Sequence, residues 1–489
     1  MNDELRRVAF VAVLLLVTLI VATTYWQVWE SSALSARQDN TILRVAEFQV
    51  KRGRIVDNGR LAARSMPKRL EGKTLFFRTY PLGGLTAHLI GYSTAGRSRV
   101  GLERSLNDKL TGTNRSLSSL LDEAKGRPIQ GNHVYTTLRL DAQRAALRAL
   151  GTRCGAVAAI DPRSGRLLVL ASSPTYNPNL VERKYELIGK IRADCEPASP
   201  LLNRATQGLY PPGSTFKVVT MAAALESKRW TPESEFDDPG YCIAYGKRVN
   251  NFDTTRPFGR ISLVTALQYS VNSVFCNIGQ ELGAKRILNQ AKRFGFYASP
   301  PLETPIDERQ PSGLYDSRRR LLFPKRDSDV DAGRTAFGQE RLLVTPLQMA
   351  MVAGAIANGG VLMEPFAVNR VVSPKGKTIQ KTRPRKLPRA VSPTTARDIS
   401  EMMVKAVEKG TGTSARIPGL RVGGKTGTAE TGLDGSNVTW FIAFAGPAGQ
   451  RPRVAIAVVL QNQQLTGGAT AAPIAREVLQ ALLPTATNT

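Results

Sequence analysis

Apolar residues are distributed along this chain in two ways. Residues 8–23 form one run without a charge, preceded by Arg6-Arg7 and followed by Tyr25, Trp26 and Trp29. With its aromatic belt this run is long enough to span a bilayer. The two tryptophans at its exit favour an uncleaved anchor over a cleaved signal peptide, for which Ser31-Ser32-Ala33 offers a small-residue cleavage site. Further on, the runs are short and bounded by turn residues. Residues 156–160 and 166–171 flank Asp161-Pro162-Arg163-Ser164-Gly165, and residues 440–444 and 454–460 repeat that strand, turn, strand pattern around 447–453. A helix is expected at 473–483, with Pro473 in its first turn. Between the strand pairs the apolar stretches 218–225 and 347–357 read as helices. Strands at both ends with helices between them predict an α+β fold, an antiparallel sheet closed by its terminal segments and covered by helices.

The chain of 489 residues then divides into a tail at 1–7, an anchor at 8–29, a polar pedestal at 30–150 and a large unit at 151–489. The pedestal has turn-like stretches at 51–60 and Gly101-Leu102-Glu103 but no catalytic constellation. Lys and Arg number 67 against 39 Asp and Glu, a net charge of +28. Nucleic acid, an anionic membrane or an acidic polymer would suit such a balance, as would a solvated positive surface, and the anchor removes nucleic acid. The tract 375–389, interleaved with prolines, reads as a solvated connection, and Arg318-Arg319-Arg320 with Lys325-Arg326 reads similarly, with acidic polymer or lipid as the other option.

Cys154, Cys195, Cys242 and Cys276 suit an oxidising compartment. Three pairings are open. The preferred one joins Cys242 to Cys276, which ties a loop to the helix carrying the second motif below, and leaves Cys154 with Cys195; four buried thiols are the alternative. With only His88 and His133 available, a metal site or a Ser-His-Asp triad has almost no raw material, and no metal or cofactor is expected.

Three motifs carry the chemistry. Ser214-Thr215-Phe216-Lys217 follows the helix breaker Pro211-Pro212-Gly213, so a helix should start there with Ser214 and Lys217 on one face. A serine hydroxyl needs a base, and a lysine serves only when burial, a second cation such as Lys425, or the positive helix end disfavours its proton. Ser270-Val271-Asn272 closes a predicted helix at 263–268. Ser270 would relay a proton and Asn272 would hold both substrate backbone and Lys217. Lys425-Thr426-Gly427-Thr428 after Gly423-Gly424 fits an edge strand, with Lys425, Thr426 and Thr428 placed to hold a terminal carboxylate. The backbone N–H groups of Ser214 and Thr428 are the expected oxyanion hole.

These motifs occur in the order found in class B penicillin-binding proteins, and the likeness continues through Asn203-Arg204-Ala205, Tyr210-Pro211-Pro212-Gly213, Gly338-Gln339, Thr345-Pro346-Leu347-Gln348-Met349-Ala350, Ala357-Asn358-Gly359-Gly360 and Gly410-Thr411-Gly412. With the anchor and Arg52-Gly53-Arg54-Ile55, nearly the whole chain resembles that family, and the short pedestal looks most like the actinobacterial penicillin-binding protein A group. The resemblance implies an extracytoplasmic peptidoglycan D,D-transpeptidase, held by a single pass through the membrane. Ser214 would attack the penultimate D-Ala carbonyl of one stem peptide, release the terminal D-Ala and pass the acyl group to the side-chain amine of another, and β-lactams would trap it as a slow-hydrolysing acyl-enzyme. It also implies a polytopic glycosyltransferase partner of the shape, elongation, division and sporulation type. Two departures stand out: Thr439 where histidine or alanine is frequent, and Glu340 where glycine is common. A class A β-lactamase would need a Glu-x-x-Leu-Asn segment, whereas Leu288-Asn289 is preceded by Lys285. A D,D-carboxypeptidase is the nearer rival, and a β-lactam receptor, with only Met1–Arg7 for a signalling region, the more distant one.

Overall fold

The computed structural model describes residues 2–25, 48–70, 72–112, 130–255, 257–430 and 436–484. Its first helix, Asn2–Thr24, is exposed along its length and apolar enough to cross a bilayer. At 23 residues it rises about 34 Å. Trp26, Trp29 and the Ser31-Ser32-Ala33 segment lie outside the described residues.

The large unit is built on a five-stranded antiparallel sheet in the order Leu420–Glu430, Asn437–Pro447, Val454–Gln463, Gly155–Ile160, Leu167–Ser173. The two terminal strand pairs meet in register, Val458 opposite Val157 and Ile456 opposite Ala159. They can do so because both are apolar on both faces, as a sheet covered on two sides requires. On one face Leu140–Leu150 and Gly467–Leu482 pack through Ala142, Ala146, Val478 and Leu479 onto Val157, Ile456 and Val458. The other face takes the Pro346–Ala357 helix, buried from Pro346 to Ile356, and, beyond it, Lys217–Glu226, Asn272–Leu282 and Pro393–Lys409.

Two expectations need correction. The last helix starts at Gly467 and Pro473 lies inside it. Its first turn lies against the strands: a Cβ on Gly467 would come within 2.3 Å of the Trp440 carbonyl and 2.4 Å of the Gly427 carbonyl. Only glycine permits that approach. The tract 375–389 is exposed but not a mere connection. Thr378–Lys381 pairs with Val368–Val372, and Lys386–Arg389 pairs with Val361–Met363. Backbone pairing places these residues in strands while their charged side chains stay in water.

Val368–Val372 also pairs with His133–Thr136, so it extends the pedestal sheet Ile55–Asp57, Arg60–Leu70, Lys73–Thr79 by two strands from far downstream. Beneath that sheet the Glu103 carboxylate, fully buried, receives Arg52 at 2.9 Å and Arg78 at 2.6 Å. Glu103 sits in the short helix Gly101–Ser105 rather than in a turn. Burial acts to raise its pKa, but the two arginines outweigh it and hold the carboxylate below its ordinary range. Both cysteine pairs are disulfides, Cys154–Cys195 and Cys242–Cys276.

Candidate active site

Pro211, Pro212 and Gly213 lead into a 3-10 turn, Gly213–Phe216, that continues as the α-helix Lys217–Glu226. Gly213 has φ +51°, and a Cβ there would stand 2.8 Å from the Thr428 carbonyl. The turn is therefore pressed against the edge of the sheet. The indole N–H of Trp440, which donates to the Pro211 carbonyl at 2.9 Å, holds it there.

Leu420–Glu430 is that edge strand, with Lys425 opposite Ile442 and Thr428 opposite Thr439. In an antiparallel strand the N–H and C=O of a residue point the same way. The Thr428 carbonyl faces Gly213, so its N–H also leaves the sheet toward the Gly213–Phe216 turn. Thr426 hydrogen-bonds Thr411 at 2.7 Å, and Thr428 accepts from the Gly467 N–H at 3.3 Å. Ser214, Ser270, Asn272, Thr426 and Thr428 all line one open cleft of about 1010 Å³.

Two lysines lie beneath the cleft, both fully buried. Lys217 Nζ contacts the Ser270 carbonyl at 2.7 Å, Asn272 Oδ1 at 2.7 Å and Ser270 Oγ at 3.3 Å. Lys425 Nζ contacts the same Ser270 hydroxyl at 2.7 Å and the Thr426 carbonyl at 3.0 Å. Ser270 thus bridges the amines, from a backbone with φ +62°. A non-glycine residue in that conformation costs about 1–3 kcal/mol and persists where its surroundings impose it. Among the described residues the Ser214 hydroxyl has no hydrogen-bond partner, so Lys217 shares its face of the turn without being bonded to it. No carboxylate forms an ion pair with either lysine among those residues.

The electrostatic result follows from that imbalance. Burial first, and Lys425 second, push the Lys217 pKa well below that of an ordinary lysine. Burial alone lowers Lys425 to about 7. A neutral amine carries two N–H groups, which the two short contacts of Lys217 use, leaving its lone pair to accept a proton.

The sequence motifs named every side chain in this cluster but not what orients it. Asn272 opens the helix Asn272–Leu282 and donates Nδ2 to the Asn250 carbonyl at 3.0 Å. Asp238, Asn250 and Asn251 carry no motif, and no local pattern marks them. The two departures also have physical accounts. Thr439 is buried and its hydroxyl accepts from Thr470 at 2.8 Å, which fastens the last helix to the strand paired with Thr428. Glu340 has φ +67° at the cleft wall and pairs with Arg341 at 3.1 Å.

Residues 155–480 match the penicillin binding protein transpeptidase domain, and residues 52–134 match the penicillin binding protein A dimerisation domain. The chain belongs to the penicillin-binding protein transpeptidase family. It is 36% identical over 508 residues to peptidoglycan D,D-transpeptidase PbpA of Mycobacterium tuberculosis, covering 99% of each chain. To PbpA of Mycolicibacterium smegmatis it is 35% identical over 506 residues, again covering 99% of each. Among solved structures, the ceftriaxone acyl-enzyme complex of M. tuberculosis penicillin-binding protein A superposes with a TM-score of 0.79 at 34% identity, covering 89% of this chain and 99% of that one. The resemblance to class B penicillin-binding proteins of the PbpA type thus extends over 99% of this chain and of those relatives.

Proposed function

We propose that this protein is a membrane-anchored peptidoglycan D,D-transpeptidase with Ser214 as its nucleophile. The observation that carries the reading is the buried lysine pair joined through Ser270, next to a serine at the mouth of a cleft. Lys217 takes the Ser214 proton as Oγ attacks the penultimate D-Ala carbonyl of a donor stem peptide. The Ser214 and Thr428 N–H groups receive the oxyanion. The C–N bond then breaks, and the proton passes through Ser270 to the departing D-Ala amine. An acceptor amine attacks the ester, forms the new amide and returns Ser214 to its hydroxyl form. Lys425, Thr426 and Thr428 hold the donor carboxylate, and Gly427 lets the peptide approach the edge strand.

This role requires the catalytic unit to lie outside the membrane, with the first helix as a single-pass anchor. The anchor and pedestal are the surfaces we assign to a polytopic glycosyltransferase partner that supplies the glycan. A β-lactam, which mimics the donor, would be held as an ester on Ser214. A fluorescent penicillin with intact-protein mass measurement tests this. Wild type gains one adduct and Ser214→Ala gains none; equal labelling of the two removes Ser214 from the role. Donor peptide with an added acceptor amine then yields a cross-linked product, whereas free acid alone would make the enzyme a D,D-carboxypeptidase.

A further inference from the structure

The usefulness of Asn272 depends on which end of its amide faces Lys217, and the groups that decide this lie outside the three motifs. Donation from Nδ2 to the Asn250 carbonyl leaves Oδ1 for Lys217. The next residue, Asn251, accepts the Ser273 N–H on Oδ1 at 3.0 Å and donates Nδ2 to both oxygens of Asp238 at 2.9 Å. Asp238 also accepts the Ser273 hydroxyl at 2.5 Å and the N–H groups of Gly240 and Phe258 at 2.9 Å each. This carboxylate is only 2% exposed and has no ion pair among the described residues. So many donors on one buried acid hold a specific arrangement, because losing any of them strands a polar group. Ser273 and Cys276 are three residues apart on one helix face, and Cys276 is disulfide-bonded to Cys242. Segment 238–251 therefore grips the first turn of the Asn272–Leu282 helix twice.

We propose that Asp238 is a positioning residue for acyl transfer. Acting through Asn251 and Ser273, it sets the first turn of the helix so that Asn272 presents its carbonyl oxygen, and not its NH₂ group, to Lys217. This rests on the acyl-enzyme reading above. The groups facing Lys217 are Lys425 from the edge strand, Ser270 and Asn272 from the motif, and the Phe275 ring at 5.2 Å. Of these the Asn272 oxygen and the Ser270 carbonyl are the acceptors that favour an ammonium.

The test is the rate of acylation by a fluorescent penicillin at saturation, in the full chain in detergent, for Asp238→Asn and the milder Ser273→Ala. Each rate is normalised to the fraction of molecules that finally labels, so misfolded protein does not count. Displacement of a positioned group by an ångström can cost about a hundredfold; Asp238→Asn should lose about tenfold or more and Ser273→Ala about threefold to tenfold, with half-saturating concentration little changed. Losing the Asn272 oxygen disfavours the Lys217 ammonium, so the acid limb of the rate should also move to lower pH. Wild-type rates and an unmoved limb in both variants would overturn the proposal, even if their melting temperatures fell. Failure of the wild type to label would overturn the acyl-enzyme reading itself, and the positioning role with it.

Discussion

Two clusters of buried charge in this molecule have opposite composition. In the pedestal Arg52 and Arg78 share Glu103, three charges with one anion between two cations, tied by contacts of 2.6 and 2.9 Å. In the cleft Lys217 and Lys425 share a hydroxyl, and no anion pairs with either among the described residues. The same physical cost, removal of charge from water, is met in the first case by Coulomb attraction and shows in the second as lowered lysine pKa values. A compensated cluster serves architecture; the uncompensated one suits the base proposed above.

Removing one member of each cluster should therefore have different consequences. The largest effect is on chemistry: Lys217→Gln should slow penicillin acylation by about a hundred- to ten-thousandfold, the usual worth of a positioned base, while folding stability changes little. Stopped-flow labelling and thermal melting read the two sides. Glu103→Gln should do the reverse. It leaves two arginines buried without an anion, a loss of about 3–5 kcal/mol visible in urea unfolding, with the acylation rate per active molecule unchanged.

Acid should separate the clusters too. The folded Glu103 pKa is lowered, so its contribution to stability is present above the unfolded value of about 4.3 and is lost as pH falls through the folded value. The lowered lysines have the opposite sense: unfolded lysine holds its proton to about pH 10.4, so for Lys425 stability should rise from about pH 7 up to that value. Unfolding of wild type against Glu103→Gln at acid pH, and against Lys425→Gln at alkaline pH, isolates each term. Lys425→Gln should also move the acid limb of acylation upward, because the second cation that depresses Lys217 is gone. At the small end, the exposed Arg104–Asp307 pair should be worth under about 1 kcal/mol when Asp307 becomes Asn, which shows that burial, not pairing alone, sets the scale.

Much of this was legible in the chain. Ser214 and both lysines stood out because their motifs place particular residue types at fixed local spacings, and the terminal strands because their apolar runs are continuous. Arg52 and Glu103 both lay in stretches that stood out as turns, yet their pairing spans 51 residues, and no local pattern encodes a partner that distant. Asp238 was hidden for the same reason, since it reaches Ser273 across 35 residues. The strand Thr378–Lys381 was obscured by its charges: an edge strand open to water is held by backbone bonds that leave its side chains free to be basic. Pro473 misled because proline is usual in a first turn, while the true first turn opens on Gly467, which strand contact requires to be glycine.

Lys217 is expected to be neutral at working pH because its burial is uncompensated. The direct measurement is the pH dependence of Ser214 acylation by a fluorescent penicillin at saturation, from pH 5 to 10. A single acid limb is expected well below the titration of an ordinary lysine, displaced upward by Lys425→Gln. A limb near pH 10 in wild type, or one that Lys425→Gln leaves unmoved, would contradict it.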